Sequence, residues 1–305
     1  MIRNQFKTVL LLGVMSALLV GIGGAIGEGA LLAFTALALL INVGTYFWSD
    51  KIVLRMYGAR ELSPQEVPGL HAMVRELAYN AGIPTPRLFI VRDSGANAFA
   101  TGRNPKHGVV AVTEGILELL STRELRGVIA HEIAHIKNRD TLISTVAAGM
   151  GTVISYAANA LAFSALLGGG QSDDDDDSVF GGLAAMFVAP IIATLVQLGI
   201  SRSREYIADE VGARISNDPL ALASALEKLH RDAVMVPTEA QPATAGLFIV
   251  NPLSGGGGLS SLFSTHPPAA ERIRRLRELA GGGREAEWYV AARSYGHPVI
   301  RDGSW

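Results

Sequence analysis

The chain has 305 residues, 49% of them hydrophobic and only 18% charged, with a net charge of −2 and a mean hydropathy of +0.29. That balance excludes a disordered chain and falls short of the roughly 25% charged residues of an average soluble domain. There is no cysteine, which excludes disulfide scaffolds, thiol proteases and thiolate metal sites, and a pI of about 6.4 leaves no basic footprint for nucleic acid.

Thr8 to Ile26 and Gly29 to Ser49 are uncharged runs of 19 and 21 residues, each the length of a membrane-spanning helix. The glycine-rich Gly21–Gly29 stretch between them reads as a tight hairpin. A cleaved signal peptide is disfavoured because a second apolar run follows at once. Arg3 and Lys7 precede the pair and Lys51, Arg55 and Arg60 follow it, so both ends face the cytoplasm by the positive-inside rule.

Residues 61–140 read as soluble. Leu62-Ser-Pro-Gln-Glu starts a helix with Ser63 as its cap, and Val67 to Ala81 carries helical periodicity. Arg87–Arg92 and Gly108–Thr113 read as strands, joined by the Ser94–Arg103 stretch. Ser121, with Glu124 three residues on, has capping-box spacing ahead of a helix bearing Leu125, Val128 and Ile129.

Thr141 to Ser172 is uncharged over 32 residues, Asp173–Asp177 is an acidic run, and Ser178 to Ser201 is uncharged over 24. This is a second membrane hairpin, with Lys137, Arg139, Arg202 and Arg204 at its cytoplasmic ends and a solvated acidic loop outside. Beyond it, Asp218 to Asp232 reads as a helix with Pro219 in its first turn, Val236–Ser261 as loop, and Pro267–Ala280 as a basic helix.

The division expected is therefore a membrane hairpin (1–55), the first part of a cytoplasmic domain (56–140), a second hairpin (141–201), the second part of the domain (202–280) and a tail (281–305).

His131-Glu132-Ile-Ala-His135 carries the chemistry. Helical positions i and i+4 share one face about 6 Å apart, so two imidazoles can grip one zinc ion. Glu132 is turned about 100° away, positioned to take a proton from the attacking water. A catalytic zinc needs a third protein ligand and an open fourth position. Without cysteine the third ligand is His, Asp or Glu. The second hairpin returns the chain near Ser201, and the first helical residues to emerge include Glu205 and Asp209, again i and i+4. Glu205 is assigned as the third ligand. Asp209 is assigned to accept a hydrogen bond from the free N–H of a ligand histidine. His71, His107, His230 and His297 read as structural or exposed, and Tyr206 as packing.

The motifs His131-Glu-Ile-Ala-His135, Glu205-Tyr-Ile-Ala-Asp209, Ser264-Thr-His266-Pro-Pro with Arg272 six residues after His266, and Asn97-Ala-Phe-Ala-Thr-Gly102 resemble the HtpX family of membrane-embedded zinc endopeptidases. These are relatives of the CAAX prenyl endopeptidases. The resemblance spans about residues 1–280. It implies a mostly α integral membrane protein with four transmembrane helices and a cytoplasmic α+β zincin-like (gluzincin) domain holding a small sheet. It further implies one zinc ion per chain on His131, His135 and Glu205, with Glu132 as general base. The implied activity is cleavage of membrane proteins, often misfolded ones, at a bacterial-type inner membrane as part of stress response and quality control. Self-cleavage in the 236–262 loop follows from the same likeness. His266 and Arg272 line the site in such enzymes. There Arg272 either supports an oxyanion or pairs with Asp209 or Glu205. Asn97, Ala98 and Phe99 lie beside a strand edge to which an extended substrate could add.

Site-2-type intramembrane proteolysis is the competing enzyme reading, against which the charged residues flanking the motif argue. A non-catalytic metal-stabilised scaffold has no need of Glu132.

Overall fold

The computed structural model describes residues 27–148, 150, 202–236, 244–250 and 267–281, and nearer the N-terminus 9–10, 12–13, 16–17, 19–21 and 24. The acidic run, most of the second hairpin, His266 and nearly all of the tail lie outside the described residues.

Helix α1 runs from Glu28 to Met56, seven residues past the end of the uncharged run, because Asp50, Lys51 and Arg55 continue the helix without a breaker. Its Leu31–Met56 portion is long and apolar enough to cross a membrane, the one such helix among the described residues. Leu32, Leu39, Leu40, Phe47 and Trp48 all point outward from the protein. The polar groups on α1 are satisfied locally: Thr35 and Thr45 hydroxyls donate to carbonyls four residues back, and Asn42 donates to Ser16 Oγ at 2.6 Å. That last bond ties the preceding apolar segment to α1. A helix in hydrocarbon has no water to satisfy such groups.

Four short strands follow in the spatial order β1-β2-β4-β3: β1 (Arg60–Glu61), β2 (Arg87–Val91), β3 (Ala98–Thr101) and β4 (Val109–Thr113). β2 and β4 pair in parallel and the outer two pairs are antiparallel. Both faces are apolar. Leu88, Val110, Val112, Ala98 and Ala100 face a core with Val74 and Leu77 of α2 (Pro68–Ala81) and the apolar stripe of α4 (Thr122–Asn138). Phe89, Val91, Phe99, Val109 and Ala111 face Val53 and Leu54 at the end of α1. The sheet is thus clamped between the apolar helix and the helix that carries the histidines.

Two local features differ from the sequence reading. Ser63 does not cap α2. It closes a separate turn with Glu66, whose carboxylate accepts from the Ser63 N–H at 2.9 Å, and the helix waits for Pro68, whose fixed φ suits a first position. The stretch read as a connection contains β3, four residues too short to show a period. α2 ends at Gly82, whose φ of 68° lets its N–H and that of Ile83 turn back onto the last carbonyls.

After β4 come the single-turn-and-a-half α3 (Glu114–Leu119), then α4, α5 (Arg202–Ser216), α6 (Pro219–Met235) and α7 (Ala269–Ala280). The capping box at the start of α4 forms in full. Burial works against the Glu124 charge, yet Lys228, Ser224 and Ser121 hold this carboxyl at about 2. It thereby links α4 to α6 through Ser224 and Lys228. Residues 141–148 are helical and follow a break from α4 at Arg139 and Asp140.

Candidate metal centre

The C-terminal half of α4 carries His131, Glu132 and His135, the first two of them fully buried. α5 lies against it, with a tight backbone approach at Gly212. A Cβ there would stand 2.9 Å from both Cα and N of His131. Only a residue without a side chain allows this backbone contact. One and two turns earlier on the same face of α5, Asp209 and Glu205 meet the histidines. Gly212→Val is expected to destabilise the fold by about 1–3 kcal/mol, since the clash is with backbone and cannot be relieved by a rotamer. Denaturant unfolding in detergent measures it, and zinc content should fall with it. An unchanged midpoint would mean that α5 can slide without disturbing the site.

His131 Nε2 and His135 Nε2 are 3.1 Å apart. Glu205 Oε1 is 3.5 Å from His135 Nε2, and Glu205 Oε2 is 3.8 Å from His131 Nε2. Atoms bound at 2.0–2.2 Å to one tetrahedral zinc sit about 3.4 Å apart. The three edges bracket that value, and the donor set is the nitrogen and oxygen kind that such an ion takes. The three residues are the group among those described that could hold a metal ion.

The electrostatics ask for a cation. Burial drives His131 down to about 4 despite Asp209, which leaves it as the neutral imidazole a metal needs. Burial also pulls on His135, but the Asp140 hydrogen bond and the charges of Glu205, Asp140 and Glu132 together lift it to about 9. Burial pushes the Glu132 carboxyl up to about 7, with Glu205 adding to the push and His135 and Arg272 opposing it. Arg272, 2% exposed, is a buried guanidinium beside these carboxylates, and Arg204, 5% exposed, lines the same pocket.

Arg272 is engaged on several sides within the chain. Its Nε and Nη2 donate to the two oxygens of Asp209 at 2.8 and 2.7 Å, and Nη1 donates to the Ile249 carbonyl at 3.0 Å. Nη1 also stands 3.5 Å from Glu205 Oε2. Nη2 also lies 3.4 Å from His131 Nε2, so the guanidinium forms a charge pair with Asp209 at the edge of the three-residue group. Asp209 Oδ1 in turn lies 3.0 Å from His131 Nδ1.

Asn97, Ala98 and Phe99 are near the site but engaged within the chain. Asn97 Nδ2 donates to the Val250 carbonyl at 2.9 Å, the Ile249 N–H donates to the Ala98 carbonyl at 3.0 Å, and Phe99 packs edge-on against Phe248 and beside Tyr57. Residues 248–250 therefore occupy the strand edge at those positions. They form a bridge that the sequence reading took for plain loop. Ala100, one residue on, lines an open pocket together with Glu132, Thr141, Ser144, Leu247 and Phe248.

Of the other histidines, His71 Nε2 bonds the Leu62 carbonyl and His107 sits in an exposed turn with Asn104 and Arg103. Tyr206 lies under the Arg275 guanidinium at 3.9 Å. One residue at the centre went without a role in the sequence reading. Asp140 places Oδ2 3.3 Å from His135 Nδ1. Its signal was an acid five residues after the second histidine, where a helix turn would not put it on the histidine face.

A family model described as peptidase family M48 matches residues 64–280. A protease HtpX homolog of Sulfurihydrogenibium sp. is 50% identical over 287 residues, covering 91% of this chain and 96% of its own. Another from Persephonella marina is 52% identical over 283 residues, covering 91% and 98%. Among solved structures, the crystal structure of S. mikatae Ste24p aligns with a TM-score of 0.48 at 18% identity, covering 90% of this chain and 66% of that one.

Proposed function

From the chain's membership of peptidase family M48, which makes it a metallopeptidase, we propose that it is a membrane-bound zinc endopeptidase with one zinc ion held by His131, His135 and Glu205. The observation that carries this reading is the convergence of those three side chains, with Glu132 beside them on the pocket wall. Bound there, zinc would supply Lewis acidity toward the scissile carbonyl and the attacking water. Glu132 accepts the proton of that water and delivers it to the leaving amine. Asp209 holds the His131 ring by its Nδ1, and Arg272 fixes Asp209. His266 is retained, on the family resemblance, as a group that supports the oxyanion.

The substrates proposed are membrane proteins, misfolded ones among them, cut on the cytoplasmic side. Support comes from the outward apolar surface of α1 and from its Tyr46-Phe47-Trp48 cluster followed by Asp50 and Lys51, the order found at a membrane–water boundary. Arg103, in the loop after β3, stands over the Phe47 ring at 5.5 Å, which supports a position of the sheet end near that boundary. Four membrane spans, with the domain divided between residues 56–140 and 202–280, belong to the same proposal. Substrate backbone would enter beside Ala100, since the edge at Asn97–Phe99 is taken.

The test is metal removal. Protein purified in detergent with chelator should lose casein cleavage, and added zinc should restore it at about one zinc per chain by mass spectrometry. Full zinc occupancy with no cleavage of casein or of loosely folded membrane proteins would replace the protease by a metal-stabilised scaffold.

A further inference from the structure

We propose that Asp140 is a positioning residue for the metal centre, orienting His135 as Asp209 orients His131; the inference rests on the zinc reading above. Its position comes from how α4 ends. Arg139 adopts a left-handed backbone with φ 58°, unusual for a residue with a side chain. The Arg139 N–H then bonds the Ile136 carbonyl at 3.1 Å and the Asp140 N–H bonds the His135 carbonyl at 3.0 Å. This pair of bonds is the Schellman closure of a helix, and it folds the chain back over the last turn. The carboxylate of Asp140, a residue only 5% exposed, is thereby returned to the ring of His135, the residue whose backbone carbonyl its own N–H has bonded.

The consequence is chemical. A carboxylate on Nδ1 keeps the proton there, leaves the Nε2 lone pair for the metal and stops the ring from turning. Each histidine then has its own carboxylate, from different parts of the chain: Asp209 from α5 across the helix pair, Asp140 from the closure of α4 itself. The Asp140 carbonyl also accepts from the Ser144 N–H and Oγ, so the helix that follows begins at the same residue. A helix-starting role alone is the rival explanation, and it separates cleanly by substitution. Asn and Ser begin helices as well as Asp does. Asn at this position loses the charge, and Ser loses both charge and reach.

The experiment measures zinc affinity by chelator competition in Asp140→Asn and Asp140→Ser beside the wild type, with unfolding of the metal-free proteins and the visible bands of their cobalt(II) forms. The expected result is zinc binding weakened about 10- to 100-fold, more in Ser than in Asn, with altered cobalt bands and unchanged metal-free unfolding midpoints. Zinc affinities within twofold of wild type in both variants would overturn the inference and leave the zinc reading standing. So would losses that track a lowered metal-free midpoint. A wild type that binds no zinc would overturn both.

Discussion

Glu132→Gln is expected to lower kcat for casein or a peptide substrate by about 10²- to 10⁴-fold, the range that a positioned acid–base group contributes. Zinc content should stay at the wild-type value. The argument is geometric. Glu132 sits between the two histidines in sequence but is turned away from their shared face, so it is no part of the three-atom group that could hold the ion. It is 1% exposed and lines the pocket, where an amide of the same shape fits without repacking. The amide cannot take a proton from water, and it removes one of the negative charges that surround the site. Loss of cleavage with loss of zinc would make Glu132 a ligand or a structural group. Undiminished cleavage would place the base elsewhere or expose a contaminating protease.

Arg272→Leu should destabilise the protein by about 3–5 kcal/mol, the usual cost of leaving one member of a buried ion pair without the other. Asp209, 4% exposed, would lose both of its guanidinium bonds, and the Ile249 carbonyl would lose its donor. The second half of the prediction uses the pair. In an Asp209→Asn background the same Arg272→Leu change should cost well under half as much, because the carboxylate that Arg272 pairs with directly is then gone and only the more distant Glu205 charge is left. Denaturant unfolding of the four proteins in detergent gives the cycle. A single-variant loss below about 1 kcal/mol would mean that water reaches Asp209, and Arg272 would then be free to act on substrate.

Much of the local structure was legible because its causes are local. The capping box at Ser121 and Glu124, the i and i+4 spacing of the histidines and the short apolar runs of β2 and β4 each depend on residues within one turn or one strand. Ser63 misled because a serine followed three residues later by a glutamate closes a lone turn as readily as it starts a helix. β3 was missed because a four-residue strand exists only through its partners, β4 on one side and Phe248 on the other.

At the site, the residue types and their order along the chain by themselves determined that two imidazoles share a helix face, that two carboxylates share another, and that no thiolate can join them. Backbone periodicity is enough for that. The tertiary structure decided which groups meet across the chain. The close approach at Gly212 brings Glu205 and Asp209 onto His131 and His135, some seventy residues away in sequence. Desolvation then directs Arg272 to Asp209, since a buried carboxylate left alone costs far more than a solvated one. The left-handed turn at Arg139 brings Asp140 back to His135 against the direction helical spacing would give it. The bridge from Phe248 to Val250 covers a strand edge that local pattern left open. Each of these outcomes is a contest between partners for a buried group, and such a contest is settled by packing rather than by spacing along the chain.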